Sequence, residues 1–440
     1  MSCCEMTMFK MLLFVSFLSF LHICNALVYY QPEQIHISYG DSPSEMVITW
    51  STKDSTNASV VEYGIGGLIL RTYGGSKQFE DGGAERRSQY IHSVRLRNLQ
   101  PGERYEYHCG SELGWSEIFN FVAMRTDSNW APKFAVFGDM GNLNAQSLPR
   151  LQQETQRGHF DAILHVGDFA YDMNSHNAKV GDEFMRQIQS IAAYVPYMTC
   201  PGNHEEAYNF SNYKARFTMP SAGLDNMVYS FNIGPAHVIA IATEFYYFLE
   251  YGFKHVVKQY EWLENDLKNA NLPHNRAKHP WIITIGHRPM YCSNLNRDDC
   301  TKHETLVRTG LPFLHWFSLE DLFFEQGVDL EIWAHEHSYE RLWPIYDYKV
   351  YNGSIDEPYR NPGAPVHIIT GSAGCQEGRE HFNHRAPDWS AFRSNDYGYA
   401  RMTVHNATHL YMEQVSDDKS GAVIDEMWLI KDHHGPYKLH

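Results

Sequence analysis

Between residues 34 and 124, apolar and polar positions alternate in short runs separated by Gly- and Pro-containing turns. The runs 34–38, 46–50, 59–63, 90–96, 104–109 and 118–122 each predict a strand with one face turned inward. Many short strands at such spacing predict a β-sandwich. After Asn129-Trp-Ala-Pro the rhythm changes. Runs 134–137 and 162–166 are short and apolar, and 282–285, 330–333 and 366–370 continue the series. Helical spacing falls between some of them, through Phe184, Ile188, Ile191 and Val195 and again through Val256, Tyr260, Leu263 and Leu267. Strands alternating with helices predict α/β layers. Residues 238–242 and 399–412 read as antiparallel hairpin material. The expected division is therefore a β module over 27–128 and an α/β module over 129–440.

Candidate chemistry gathers where the apolar strands stop. The first ends in Gly138-Asp139-Met-Gly141 and the second in Gly167-Asp168-Phe-Ala-Tyr171. The third runs into Pro201-Gly202-Asn203-His204-Glu205, followed later by Gly286-His287 and by Ala334-His335-Glu-His337. Small residues beside each cluster let a metal or an anion approach the backbone. Polar ligands on loops held by a rigid sheet are the usual construction of an α/β site. Singly, each cluster has a plainer reading: a turn, a hydrogen-bonded structural histidine, or a helix cap. Five in order, offering O and N donors for two hard or borderline cations, point to a dinuclear metal centre.

These blocks closely resemble those of the purple acid phosphatases, within the broader dinuclear metallophosphoesterases. The family pattern is Asp-x-Gly, Gly-Asp-x-x-Tyr, Gly-Asn-His-Glu/Asp, Val-x-x-His and Gly-His-x-His, and Tyr171 separates purple acid phosphatases from their relatives. The run from His335 to Tyr346 looks especially like the animal long form. The stretch Leu99-Gln-Pro-Gly-Glu-Arg-Tyr-Glu-Tyr resembles a fibronectin type III turn in which a tyrosine pins the corner. The resemblance thus implies an N-terminal fibronectin III-like β-sandwich followed by a four-layer α/β/β/α metallophosphoesterase domain. Carried over residue by residue, Asp139, Tyr171 and His337 would hold Fe(III), and Asp168 would bridge. Asn203, His287 and His335 would hold a divalent iron, zinc or manganese. Phenolate suits ferric iron, and amide with imidazole donors suits a divalent ion.

Two positions depart from the pattern, Thr284 for valine and Ala334 for glycine, and both leave the ligands in place. The substrate loop departs further. Where long plant forms carry a histidine pair, an ungapped count places Asn296 and Arg297, and the nearest histidine is His303. Leaving-group protonation is thereby expected of His204 or His303, and phosphate binding of Arg297. The implied reaction is acid hydrolysis of phosphate monoesters, with hydroxide generated on the metals as nucleophile and His204 supporting the transferring group. Phosphodiester or nucleotide pyrophosphate hydrolysis on the same metal pair is the neighbouring alternative. A secreted binding glycoprotein with a vestigial site is the alternative from another class.

Composition narrows the partners. The formal net charge is -16 with no Lys/Arg-rich run, which argues against a nucleic-acid surface and against an anionic membrane. Lys10, the apolar run 11–21 and Cys24-Asn25-Ala26 read as a signal peptide over residues 1–26, too short for a comfortable membrane span. The C-terminal residues 436–440 lack the apolar tail of a lipid-anchor signal. Sequons at Asn57, Asn209, Asn352 and Asn406 fit export, to the exterior or to a lysosome. Past the signal, five cysteines remain, and Cys292 with Cys300 is the expected disulfide, with at least one thiol left over. The expected partner is a small phosphate ester, and nothing in the chain fixes an oligomeric state.

Overall fold

The protein is described by a computed structural model covering residues 28–220 and 224–438; the expected signal peptide lies outside the described residues. The N-terminal module packs two antiparallel sheets face to face. One orders Glu33–Tyr39, Met46–Thr52, Ser88–Leu96 and Gly75–Glu80; the other is built on Leu70–Tyr73, Val60–Gly64 and Arg104–Ser111, with Gly114–Trp115 and Phe119–Val122 on the last. All six expected strands are present. Leu70–Tyr73, Gly75–Glu80 and the two-residue Gly114–Trp115 are additional; the first two escaped the pattern because they are mostly solvent-exposed edge strands without an apolar face. The Tyr105 hydroxyl accepts the Gln100 backbone N–H at 2.9 Å, which pins the turn before its strand.

Two larger sheets form the second module. The first orders Tyr197–Cys200, Ala162–Val166, Lys133–Phe137, Gly398–Val404, His409–Ser416 and Ala422–Ile430. Its first three strands run parallel, and the remainder is antiparallel meander. The second sheet centres on Ala236–Ala240, Trp281–Ile285, Leu330–Trp333 and Val366–Thr370, all parallel, with antiparallel strands at both edges. The parallel strands are buried along nearly their whole length, and that is why they read as unbroken apolar runs. Helices Leu148–Gln156 and Ser175–Ala192 pack together, as do Lys254–Ala270 and Leu319–Gln326. The fold is the expected one, a strand sandwich followed by layered α/β. Val195, placed by periodicity on a helix, instead follows the end of Ser175–Ala192 and leads into the next strand.

The two modules are joined by buried polar contacts. Tyr107 donates to Ala193 O at 2.7 Å and Tyr39 to Asp161 O at 3.0 Å. Asp182 receives Arg216 at 2.9 Å and Gln89 at 3.0 Å, and Arg87 of the sandwich reaches the same carboxylate. One buried acid thus ties the sandwich to two segments of the α/β module. Among the described residues no helix is long and apolar enough to cross a membrane.

Two measurements follow from this packing. Burial pushes His92 and His36 down to about 4 and His367 to about 3. These imidazoles are neutral when folded and take up protons on unfolding. Their contribution is whole above pH 6.5 and declines as pH falls towards 4, by about 1.4 kcal/mol per group per pH unit. Denaturant unfolding from pH 7 to 4 should show that slope, and His92→Gln should flatten it; an unaltered slope would contradict the assignment. The Thr284 hydroxyl is fully buried on a central strand and finds no partner among the described residues. Thr284→Val should therefore raise stability, by about 1 kcal/mol or more, read as a higher denaturant midpoint at unchanged slope.

Candidate metal centre

The seven side chains expected to bind metal leave from strand ends of both sheets and meet where the sheets abut. Asp139 follows Lys133–Phe137, and Asp168 and Tyr171 follow Ala162–Val166. Asn203 opens a short turn after Tyr197–Cys200. His287 follows Trp281–Ile285, and His335 and His337 follow Leu330–Trp333. The backbone bends sharply to bring them in: Asp139, Asp168, Tyr171 and His335 all have positive φ. Gly167 has φ +83, and a Cβ there would stand 2.5 Å from the His287 ring. A Cβ on Gly202 would stand 2.2 Å from Asp168 Oδ1. Glycine is the residue that leaves this room.

Two groups of donors are resolved. The Tyr171 hydroxyl lies 3.0 Å from Asp139 Oδ1 and 2.9 Å from His337 Nε2. His287 Nε2 lies 3.0 Å from Asp168 Oδ2, 3.2 Å from Asn203 Oδ1 and 3.2 Å from His335 Nδ1. Backbone carbonyls hold the far nitrogens of two rings. His287 Nδ1 donates to Val166 O at 2.9 Å and His337 Nδ1 to Gly378 O at 3.1 Å. Each ring is thereby oriented with Nε2 towards the cluster, so that a metal displacing the Nε2 proton would find the arrangement usual for a metal-binding histidine.

The charge balance fits a cationic guest. Burial pushes the Tyr171 phenol well above its ordinary value, and Asp139 and Asp168 add to the shift. Burial opposes a charge on His287 and His337 as well. Asp168 and Asp139 overcome it, carrying His287 to about 10 and His337 to about 12. With protein atoms alone, imidazolium is the charge available to offset the two carboxylates. Metal cations would replace those protons and allow the phenolate. The donor set is oxygen and imidazole nitrogen, suited to hard and borderline ions.

His204 stands at the edge of the cluster, its Nε2 3.9 Å from Asp168 Oδ2 and its ring 4.2 Å from that of Tyr171. Its Nδ1 is 2.5 Å from Asp172 Oδ1. Burial disfavours its charge, but Asp172 and Asp168 prevail and raise it to about 9. Arg297 is exposed, and His303 stacks on Tyr348 at 4.8 Å. Neither has a hydrogen bond or ion pair to the cluster among the described residues. Cys292 and Cys300 are joined as a disulfide, and Cys109, Cys200 and Cys375 are buried thiols. Asn57, Asn352 and Asn406 are exposed, whereas Asn209 is half-buried and accepts from Lys214 at 3.2 Å.

Four supporting residues escaped the sequence reading. Glu205 accepts the backbone N–H groups of Asp168, Phe169 and Gly202 at 2.9–3.0 Å, clamping the second and third loops together. Its place in the Gly-Asn-His-Glu block was the available signal. Asp172 directly follows Tyr171 and could have been read the same way. Arg288 and Asp298 meet at His335, and nothing in their local sequence announces that contact.

Comparison with known proteins agrees with this geometry. Residues 32–123 match the description "Purple acid Phosphatase, N-terminal domain", 132–339 "Calcineurin-like phosphoesterase", and 364–426 "Iron/zinc purple acid phosphatase-like protein C". The chain is 58% identical over 417 residues to acid phosphatase type 7 of Danio rerio, covering 92% of this chain and 93% of that protein. It is 54% identical to acid phosphatase type 7 of Homo sapiens, covering 92% of each. A probable purple acid phosphatase of Arabidopsis thaliana is 30% identical over 90% of this chain and 87% of its own. The solved structure of a purple acid phosphatase from yellow lupin (Lupinus luteus) seeds superposes with a TM-score of 0.77 at 25% identity, covering 92% of this chain and 75% of that one. Site, fold and relatives converge: the chain belongs to the purple acid phosphatase family.

Proposed function

We propose that the dinuclear centre of this acid phosphatase pairs ferric iron, held by Asp139, Tyr171 and His337, with divalent iron, zinc or manganese held by Asn203, His287 and His335. Asp168 serves both ions. The observation that carries this reading is a buried tyrosine hydroxyl within 3.0 Å of both a carboxylate and an imidazole. When bound, such a pair supplies Lewis-acid polarisation of the phosphoryl oxygens and a source of hydroxide at acid pH.

The chain supplies the rest. Asp172 fixes the His204 ring, and its carboxylate, 2.5 Å from Nδ1, favours the cationic ring. Cationic His204 can donate from Nε2 to a phosphoryl oxygen or to the departing alkoxide. Asn203 and His204 are consecutive, so one turn serves both the divalent ion and the substrate. The His204 ring lies 4.2 Å from that of Tyr171, whereas Arg297 and His303 make no hydrogen bond or ion pair to the cluster among the described residues, which favours His204 as the proton donor. The substrate is a phosphate monoester.

Export is part of the same proposal. Asn57, Asn352 and Asn406 present exposed sequons, and the Cys292–Cys300 disulfide suits an oxidising compartment. Passage through the secretory pathway, to the exterior or a lysosome, accommodates both.

Metal analysis of the purified chain should give two ions, at least one of them iron, with a broad visible absorption that Tyr171→Phe abolishes. Two ions without colour would sink the ferric–phenolate assignment. In steady-state hydrolysis of p-nitrophenyl phosphate at acid pH, His204→Ala should lose roughly 10²–10³-fold in kcat/KM with its metal content intact. Unchanged turnover would take His204 out of the mechanism.

A further inference from the structure

His335 poses a problem of hydrogen-bond direction. Its Nδ1 faces His287 Nε2 at 3.2 Å, the side on which an ion would sit. Its Nε2 meets two different groups, Asp298 Oδ2 at 2.9 Å and Arg288 Nη1 at 2.9 Å. Asp298 can only accept from that nitrogen, and a guanidinium can only donate to it. The two contacts therefore demand opposite tautomers. If Arg288 donates, Nε2 is bare, the proton sits on Nδ1, and that proton points at His287. If Asp298 accepts, the proton sits on Nε2 and the Nδ1 lone pair faces His287. A neutral imidazole can bind a cation through Nδ1 only in the second state.

The surroundings favour that state. Arg288 has other partners: its Nε donates to Glu244 Oε2 at 3.0 Å, and its guanidinium lies 4.3 Å from the Tyr247 ring centroid. Asp298 is held in place from both sides. Its N–H donates to Asn296 Oδ1 at 3.1 Å, and its carbonyl accepts from Thr301 Oγ1 at 2.7 Å. The Cys292–Cys300 disulfide closes the loop that carries it. Asn296, in the same loop, donates to Glu336 at 2.8 Å, and Glu336 lies between His335 and His337. The segment where long plant relatives were expected to present substrate-binding histidines here presents a carboxylate to a metal ligand.

We propose that Asp298 is a positioning residue of the divalent site, accepting a hydrogen bond from the Nε2–H of His335 so that the Nδ1 lone pair is left to bind the ion. The disulfide-closed loop is the device that delivers it. This inference rests on the two-metal reading above. Carboxylate–histidine pairs of this kind typically change metal affinity by about 10–100-fold when broken.

The test uses the full-length chain loaded with both ions, comparing wild type, Asp298→Ala and Asp298→Asn. Metal stoichiometry by elemental analysis and the rate of ion release to a chelator are the readouts, with visible absorption monitoring the tyrosine-bound ion. Asp298→Ala should release the divalent ion about 10–100-fold faster while keeping its colour and the other ion. Asp298→Asn, which retains an acceptor oxygen, should recover part of the loss. Wild-type release from Asp298→Ala would overturn the proposal. So would equal loss of both ions, since that marks a collapsed loop and not a misoriented histidine. Failure of the two-metal reading itself is separately visible, because wild type would then hold fewer than two ions.

Discussion

Asp139 and Asp168 are both buried, Asp139 with a phenol 3.0 Å away, and ionised carboxylates are costly to remove from water. Burying carboxylates together costs several kcal/mol unless cations answer them. The protein answers with imidazoles that would have to be protonated, and it places those imidazoles where an ion would take over the role. That exchange of protons for metal governs the rest of the architecture. Strand ends, not strand centres, carry the candidate ligands because only there can side chains from two sheets converge without breaking backbone ladders. Positive φ at four of the candidate ligands is the conformational strain of that convergence, tolerated because the parallel strands leading into them are buried along nearly their whole length.

A second tier of groups holds the first in place. Glu205 gathers three backbone N–H groups so that Asp168 and Asn203 stay in register with each other. Val166 O and Gly378 O orient the rings of His287 and His337, and Asp172 holds His204. The sandwich contributes no ligand, yet it takes part in this rigidity. Through Arg87 and Gln89 it grips Asp182, on the helix that follows Tyr171 and Asp172, and Asp182 also binds Arg216 beyond the His204 loop. A domain without chemistry thus stabilises the two loops that carry much of it.

Ala334 shows how a local departure is absorbed. A Cβ on Gly138 would stand 2.4 Å from the Ala334 methyl, so the missing side chain at 138 makes room for the extra methyl at 334. Thr284, the other departure, is accommodated sterically but leaves its hydroxyl without a partner among the described residues.

The amino-acid sequence by itself determined the fold class, the family and the metal-ligand candidates, because each depends on local pattern. Apolar runs mark buried strands, and the blocks around Asp139, Asp168, Asn203, His287 and His335 are contiguous in the chain. Exposed strands such as Gly75–Glu80 were illegible because an edge strand buries little and so writes no periodicity. What only the tertiary structure decided are the contacts between distant segments. Asp298 reaches a histidine 37 residues away and Arg288 one 47 residues away. Arg297 and His303, placed by counting along the chain, make no hydrogen bond or ion pair to the cluster among the described residues. Counting fixes separation along a chain, whereas the path of the 292–300 loop is set by its disulfide and by Asn296 reaching Glu336. Which side chain faces the site is a property of that path in three dimensions.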